Sequence, residues 1–164
     1  MRRVIAALLL LAIAPTALAD SAVPDLHPFV RGSWKQLLAE HLGTPIVIHF
    51  WDVTCGPCIA ELPVWEAFRQ KMPDLHLVLI NTAVQGDDPA NAAAVLKRDG
   101  LVGAENWIFA DRFEERLRFE IDRKWHGELP YTVLLARDGT TTTFVGTTDF
   151  PKLRHWLAAQ DKRS

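Results

Sequence analysis

The 164-residue chain has two cysteines, and they stand three apart in Cys55-Gly56-Pro57-Cys58. An apolar run, Pro45-Ile46-Val47-Ile48-His49-Phe50, leads into the pair, and an amphipathic segment from Ile59 to Met72 leads out of it. The first is short and rich in β-branched residues, the pattern of a buried strand. The second carries Ile59, Leu62, Trp65 and Phe68 at helical spacing, read as the core-facing side of a helix that Pro63 is expected to bend. A strand that hands a Cys-x-x-Cys pair to the first turn of a helix has a chemical consequence. Unpaired N–H groups and a partial positive charge at the helix start favour thiolate over thiol. Thiolate is the nucleophile, so the first cysteine is expected to react near neutral pH.

Other uses of the pair fit less well. A structural bridge usually closes a long loop, because long loops constrain the unfolded chain most, and a bridge from Cys55 to Cys58 closes almost nothing. A zinc knuckle needs a second pair of ligands, and no further cysteine exists. A redox centre at a helix start is the preferred reading, ahead of metal binding and, last, a structural bridge.

The first residues read as a processing signal. Met1-Arg2-Arg3 is a basic lead, Val4 to Ala14 is apolar, and Ala17-Leu18-Ala19 is a small-x-small cleavage pattern before Asp20. The apolar run falls short of the roughly 20 residues a membrane span needs, and an uncleaved anchor is the alternative. Residues 1–19 are therefore expected to be a signal peptide and 20–164 a single domain with its core at about 30–160. Export to a bacterial periplasm follows, with a membrane-anchored form facing the periplasm as the other possibility. Loss of Arg2 and Arg3 would leave 16 basic against 20 acidic residues, a charge of −4. Such a chain has no basic face for nucleic acid. The hydrophobic content of 49 % suits one ordinary globular domain, and a monomer is expected.

The rest of the chain alternates strands and helices. Asp20 to Val30, with Pro24 and Pro28, reads as an extended lead-in. Ser33 is expected to cap a helix with Gln36 completing a capping box and Gly43 closing it. Trp34, Leu37, Leu38, His41 and Leu42 would form its face, with His41 a rim residue rather than a ligand. Leu75 to Asn81 is a buried strand. Asp88-Pro89 opens a helix to Gly100, Trp107 to Ala110 is a short strand, and Asp111 with Glu114 boxes a charged helix to about Lys124. Leu129 to Leu135 is a strand that starts beside Pro130, a position where a strand tolerates proline. Arg137-Asp138-Gly139 turns it into Thr140 to Val145, and Asp149 to Gln160 is a last helix bearing Phe150, Leu153, Trp156 and Leu157. This order implies an α/β fold, a mixed central sheet with helices on both faces.

Over Val30 to Gln160 this pattern resembles the thioredoxin fold, with an extra helix-strand insertion at about Pro89 to Ala110. Cys55-Gly56-Pro57-Cys58-Ile59-Ala60-Glu61-Leu62-Pro63 looks like the Cys-x-x-Cys-x-x-Glu-x-Pro of the TlpA/ResA-type exported thiol-disulfide oxidoreductases, relatives of the cytochrome c maturation thioredoxins. The resemblance implies roles for four residues. Cys55 would be the nucleophile and Cys58 the resolving thiol. Pro130 would be a cis-proline whose neighbouring backbone pairs with an extended client. Glu61 would be a buried acid that moves the proton of Cys58, with a solvent-exposed helix position as the plain alternative. No cofactor and no metal are implied. Two positions depart from the family: Thr54 stands where Trp is usual, and His49 where thioredoxin has a buried aspartate and exported relatives often have Asn. His49 is read as a satisfied core residue, with tuning of the cysteines as the alternative.

The neutral Gly56-Pro57 between the cysteines suggests a reductant with a potential closer to thioredoxin than to DsbA-type oxidants, which carry a histidine there. The family resemblance implies a protein substrate with a cysteine pair, either the Cys-x-x-Cys-His of apocytochrome c or the cysteines of a copper site. It also implies a membrane thiol transporter as electron donor. Two rival functions stay open at this point: a copper-binding or metallochaperone protein using Cys55, Cys58 and His49, and a redox-inactive scaffold.

Overall fold

A computed structural model describes residues 23–82 and 89–161. The signal segment and the helix cap expected at Asp88 lie outside the described residues. Six strands form one sheet: β1 (Leu26–Phe29), β2 (Ile46–Trp51), β3 (His76–Asn81), β4 (Glu105–Phe109), β5 (Tyr131–Leu135) and β6 (Thr141–Val145). Five helices accompany them: α1 (Ser33–Glu40), α2 (Gly56–Lys71), α3 (Pro89–Arg98), α4 (Glu114–Ile121) and α5 (Phe150–Asp161). The strand order is β1-β4-β3-β2-β5-β6, parallel from β1 to β2 and antiparallel from β2 to β6. Among the described residues no helix is long and apolar enough to cross a membrane.

The two-residue period of β2 divides the core. Every residue of Ile46–Trp51 is buried, as expected for a central strand covered on both faces. Val47 and Trp51 join Leu62, Trp65 and Phe68 of α2, Ala92 and Leu96 of α3, and Leu153 and Leu157 of α5. Ile46, Ile48 and Phe50 point the other way, toward Trp34 and Leu37 of α1 and Leu117 of α4. His49 shares the α2 side by the same alternation. The helix-strand insertion is present as α3, a 3-10 turn at Leu101–Gly103, and β4.

Several local expectations are corrected. The extended lead-in contains a strand, β1, which pairs in parallel with β4 from Leu26↔Asn106 to Phe29↔Phe109. At this edge Pro28 is acceptable. Ser33 does not cap α1. Its Oγ accepts from the Val30 N–H at 3.0 Å, and Gln36 donates to Glu40, so no capping box forms. The helix ends at Glu40, the turn runs on to Gly43 (φ 84°), and Leu42 is exposed instead of joining the face. Asp111 accepts from the Phe113 N–H and the Arg31 side chain, so it holds the turn before α4 and is not its cap. That helix stops at Ile121, short of Lys124, because Asp122 is extended and takes the Lys124 N–H. The last strand pair is joined at Arg137-Asp138-Gly139, with Asp138 Oδ1 accepting from Thr140 and Gly139 at φ 83°. That positive φ is the conformation glycine supplies at little steric cost.

Candidate active site

The parallel strand β2 ends at Trp51, and the chain turns at once into α2. Asp52 organises that turn. Its Oδ1 accepts from the Thr54 N–H (2.7 Å) and the Thr54 hydroxyl (2.6 Å), while its carbonyl accepts from the Cys55 N–H (3.2 Å). An Asp that bonds the backbone two residues on is an Asx turn. Thr54 therefore contributes a second bond to the same carboxylate, where the larger Trp of the resembling family would contribute none of this kind. Sequence reading overlooked Asp52, although the Asp-x-Thr spacing is a usable signal for the turn.

Cys55 is the N-terminal flanking residue of α2 and is joined to Cys58 by a disulfide, with Cα atoms 5.2 Å apart. Its Sγ also accepts from the Cys58 N–H at 3.2 Å, so the sulfur takes one of the unpaired donors of the helix start. Pro57 occupies the first turn, where its missing N–H costs nothing. The two sulfurs differ in access: Cys55 is partly exposed, whereas Cys58 is fully buried against the core. An incoming group can reach Cys55, and Cys58 lies behind it.

One turn along α2 from Cys58, Glu61 forms a buried polar pair with His49 of β2. His49 is fully buried, its Nδ1 is 2.9 Å from Thr132 Oγ1, and its ring centroid is 5.1 Å from that of Trp65. Thr132 is the residue directly opposite His49 in the β2–β5 register, so the contact is a cross-strand pair. Glu61, one turn after Cys58 on α2, is 5 % exposed, and its Oε1 accepts from the Thr148 N–H. Glu61 Oε2 and His49 Nε2 face each other at 3.6 Å, and neither has a hydrogen-bond partner. Burial lowers the His49 pKa to about 3. Burial also raises the Glu61 carboxyl, against the opposing hydrogen bond from Thr148. Both directions favour the uncharged pair, a protonated carboxyl beside a neutral imidazole. That arrangement can store one proton out of solvent beside Cys58.

These positions answer the sequence expectations in detail. Glu61 is buried, not solvent-exposed. His49 turns Nδ1 to Thr132 and Nε2 to Glu61. Pro130 is buried, and the Leu129–Pro130 peptide bond is cis. Extending the register of Phe50↔Tyr131 by one residue sets Pro130 level with Trp51, at the end of the sheet where the disulfide lies. Its carbonyl accepts from the Gly146 N–H at 2.8 Å. Thr132 and Thr148 escaped sequence reading. Thr132 is foreseeable once β2 and β5 are aligned; Thr148 has no sequence signal.

No family model matches the chain, and no curated protein matches it. Solved structures do. A secreted disulfide oxidoreductase of Mycobacterium tuberculosis, described as homologous to Escherichia coli DsbE, superposes with a TM-score of 0.58 at 24 % identity, covering 74 % of this chain and 85 % of that one. StoA of Bacillus subtilis gives 0.55 at 23 % identity over 71 % of this chain and 84 % of its own. A Bacteroides vulgatus protein described as a candidate thiol-disulfide oxidoreductase gives 0.51 at 27 % identity over 71 % and 73 %. The chain shares with them a thioredoxin-like fold, the fold of thiol-disulfide oxidoreductases.

Proposed function

We propose that this thioredoxin-fold chain is an exported, periplasmic thiol-disulfide oxidoreductase that reduces disulfides in client proteins through Cys55 and Cys58. The observation that carries the reading is the asymmetry of the pair: an accessible Cys55 at the helix start, a buried Cys58 behind it, and a buried Glu61 one turn further on. In the reduced protein the Cys55 thiolate attacks one sulfur of a client disulfide, and the other client sulfur leaves as thiolate. Cys58, giving its proton to the ionised form of Glu61, whose raised pKa makes that form the stronger base, then attacks Cys55 Sγ and releases the second client thiol. Two electrons pass to the client, and the Cys55–Cys58 disulfide is regenerated.

The backbone beside Pro130 would pair with the extended client segment. Residues 1–19 act in this reading as a signal peptide cleaved after Ala19, and residues 20–164 work as a monomer. A membrane thiol transporter re-reduces the disulfide. Clients are the cysteine pairs of apocytochrome c or of a copper site.

A Cys58→Ser variant should accumulate a client as a mixed disulfide at Cys55, visible as a band that dithiothreitol removes. Wild type should reduce insulin while Cys55→Ala does not. No trapped client together with no insulin reduction would refute the enzyme. A glutathione titration giving roughly −120 mV, the value of DsbA, would reverse the assigned direction.

A further inference from the structure

At the far end of the sheet from the disulfide, three residues from separate elements converge. His76 is the first residue of β3 and Glu105 the first of β4; the alternation of both strands turns them to the α1 face, with Val78 and Trp107. His41, immediately after α1, comes down on the same spot. His41 Nε2 lies 3.2 Å and His76 Nε2 3.4 Å from a single oxygen, Glu105 Oε2. The two imidazoles meet edge to face with centroids 4.5 Å apart. The other carboxylate oxygen is occupied: Glu105 Oε1 accepts from the Trp107 indole N–H at 2.8 Å.

We propose that His41, His76 and Glu105 form a binding site for a zinc-type divalent transition cation, separate from the redox centre. The ligand atoms lie within 4.8 Å of one another. Bonds of roughly 2.0–2.2 Å in a tetrahedral site place neighbouring ligand atoms about 3.4 Å apart, which is the spacing found here between each imidazole nitrogen and Oε2. Two imidazoles and one carboxylate with an open fourth position suit zinc and copper(II), and disfavour calcium and magnesium, which take oxygen. Trp107 plays the outer part, fixing the carboxylate so that Oε2 faces the histidines. Side-chain exposure is graded, 11 % at His41, 22 % at Glu105 and 41 % at His76, so the site is partly desolvated but open on the His76 side. A surface cleft of about 310 Å³, lined by Arg69, Asp74, His76 and Glu105 among others, opens at the same two strand starts. The β2–β3 register sets His76 level with Ile46, five residues from the Trp51 end, or about 17 Å along the strand from the level where the cysteines begin. A cation here would clip the end of α1 to two strand starts without touching the thiols. His41 thus changes from a rim residue to a ligand.

The test uses the full chain, oxidised so that Cys55 and Cys58 offer no thiolate, and stripped with a chelator. Zinc is titrated in competition with a chromogenic chelator, in excess magnesium. One equivalent should bind, the melting temperature should rise with zinc, and His76→Ala and Glu105→Gln should each weaken binding at least tenfold. Exposed His155→Ala on α5 should change nothing. In unmutated protein the ring resonances of His41 and His76 should shift together on adding zinc, a reading that needs no variant to fold. Absence of binding at submillimolar zinc, or binding that leaves those two rings unmoved, overturns the site.

Discussion

His49 makes the acid response of this protein predictable. Its imidazole is fully buried, and its pKa falls from 6.5 to about 3 through that burial alone. The unfolded chain therefore binds a proton in the window between those values that the folded chain does not. The sign follows: the folded state loses stability as pH drops from 6.5 toward 3, at up to about 1.4 kcal/mol per pH unit. Between about pH 6.5 and about pH 4 the sum is about 3 kcal/mol, a large part of a typical domain's stability. Carboxylates held below their usual range, such as Asp111, Asp122 and Asp149, add their own acid loss. The comparison that isolates the imidazole is His49→Asn, which keeps a polar group facing Thr132 but cannot titrate. Urea denaturation of the oxidised proteins, followed by tryptophan fluorescence at several pH values and extrapolated linearly, gives both curves. Wild type should lose about 3 kcal/mol more than the variant across that window. Curves that run parallel would refute the reasoning, since they would mean that the folded state protonates His49 as easily as the unfolded chain does.

Three further perturbations follow from the same contacts. Glu61→Gln keeps the acceptor for Thr148 but removes the titrating proton. Because the folded-state pKa of Glu61 is raised, wild type should lose stability relative to this variant as pH rises from 4.5 through that raised value; in the insulin assay the variant should be about a hundredfold slower with a flatter pH profile. Leu62→Ala, at a fully buried position of α2, should cost about 2–5 kcal/mol in denaturant titrations. Gly100→Ala places a side chain at φ 78° with its Cβ 3.3 Å from Glu66 Cγ, and should destabilise by about 1–2 kcal/mol; an unchanged midpoint would show that the turn relaxes.

What could be read from the order of residues was whatever depends on near neighbours. The short β-branched run, the helical spacing of Leu62, Trp65 and Phe68, the Asp138-Gly139 turn and the Cys-x-x-Cys at a helix start are local patterns, and each sits where its pattern implied. The placement of the cysteines at a helix start was legible for the same reason, since a helix start is set by its own first turn. Tertiary structure decided the rest. β1 is a strand because it pairs with β4, about eighty residues away in the chain, and nothing within Asp20 to Val30 announces that partner. Ser33 gave up its cap to the Val30 N–H once the chain arrived from β1. Glu61 is buried because the loop at Thr148 closes over it, and His49 is uncharged because Thr132 and α2 exclude water from both sides of its ring. His41 and Glu105 meet through sheet register and helix docking. Desolvation and register are properties of the assembled sheet, so the buried His49–Glu61 pair is decided there, while the Cys-x-x-Cys at the helix start is written in the chain.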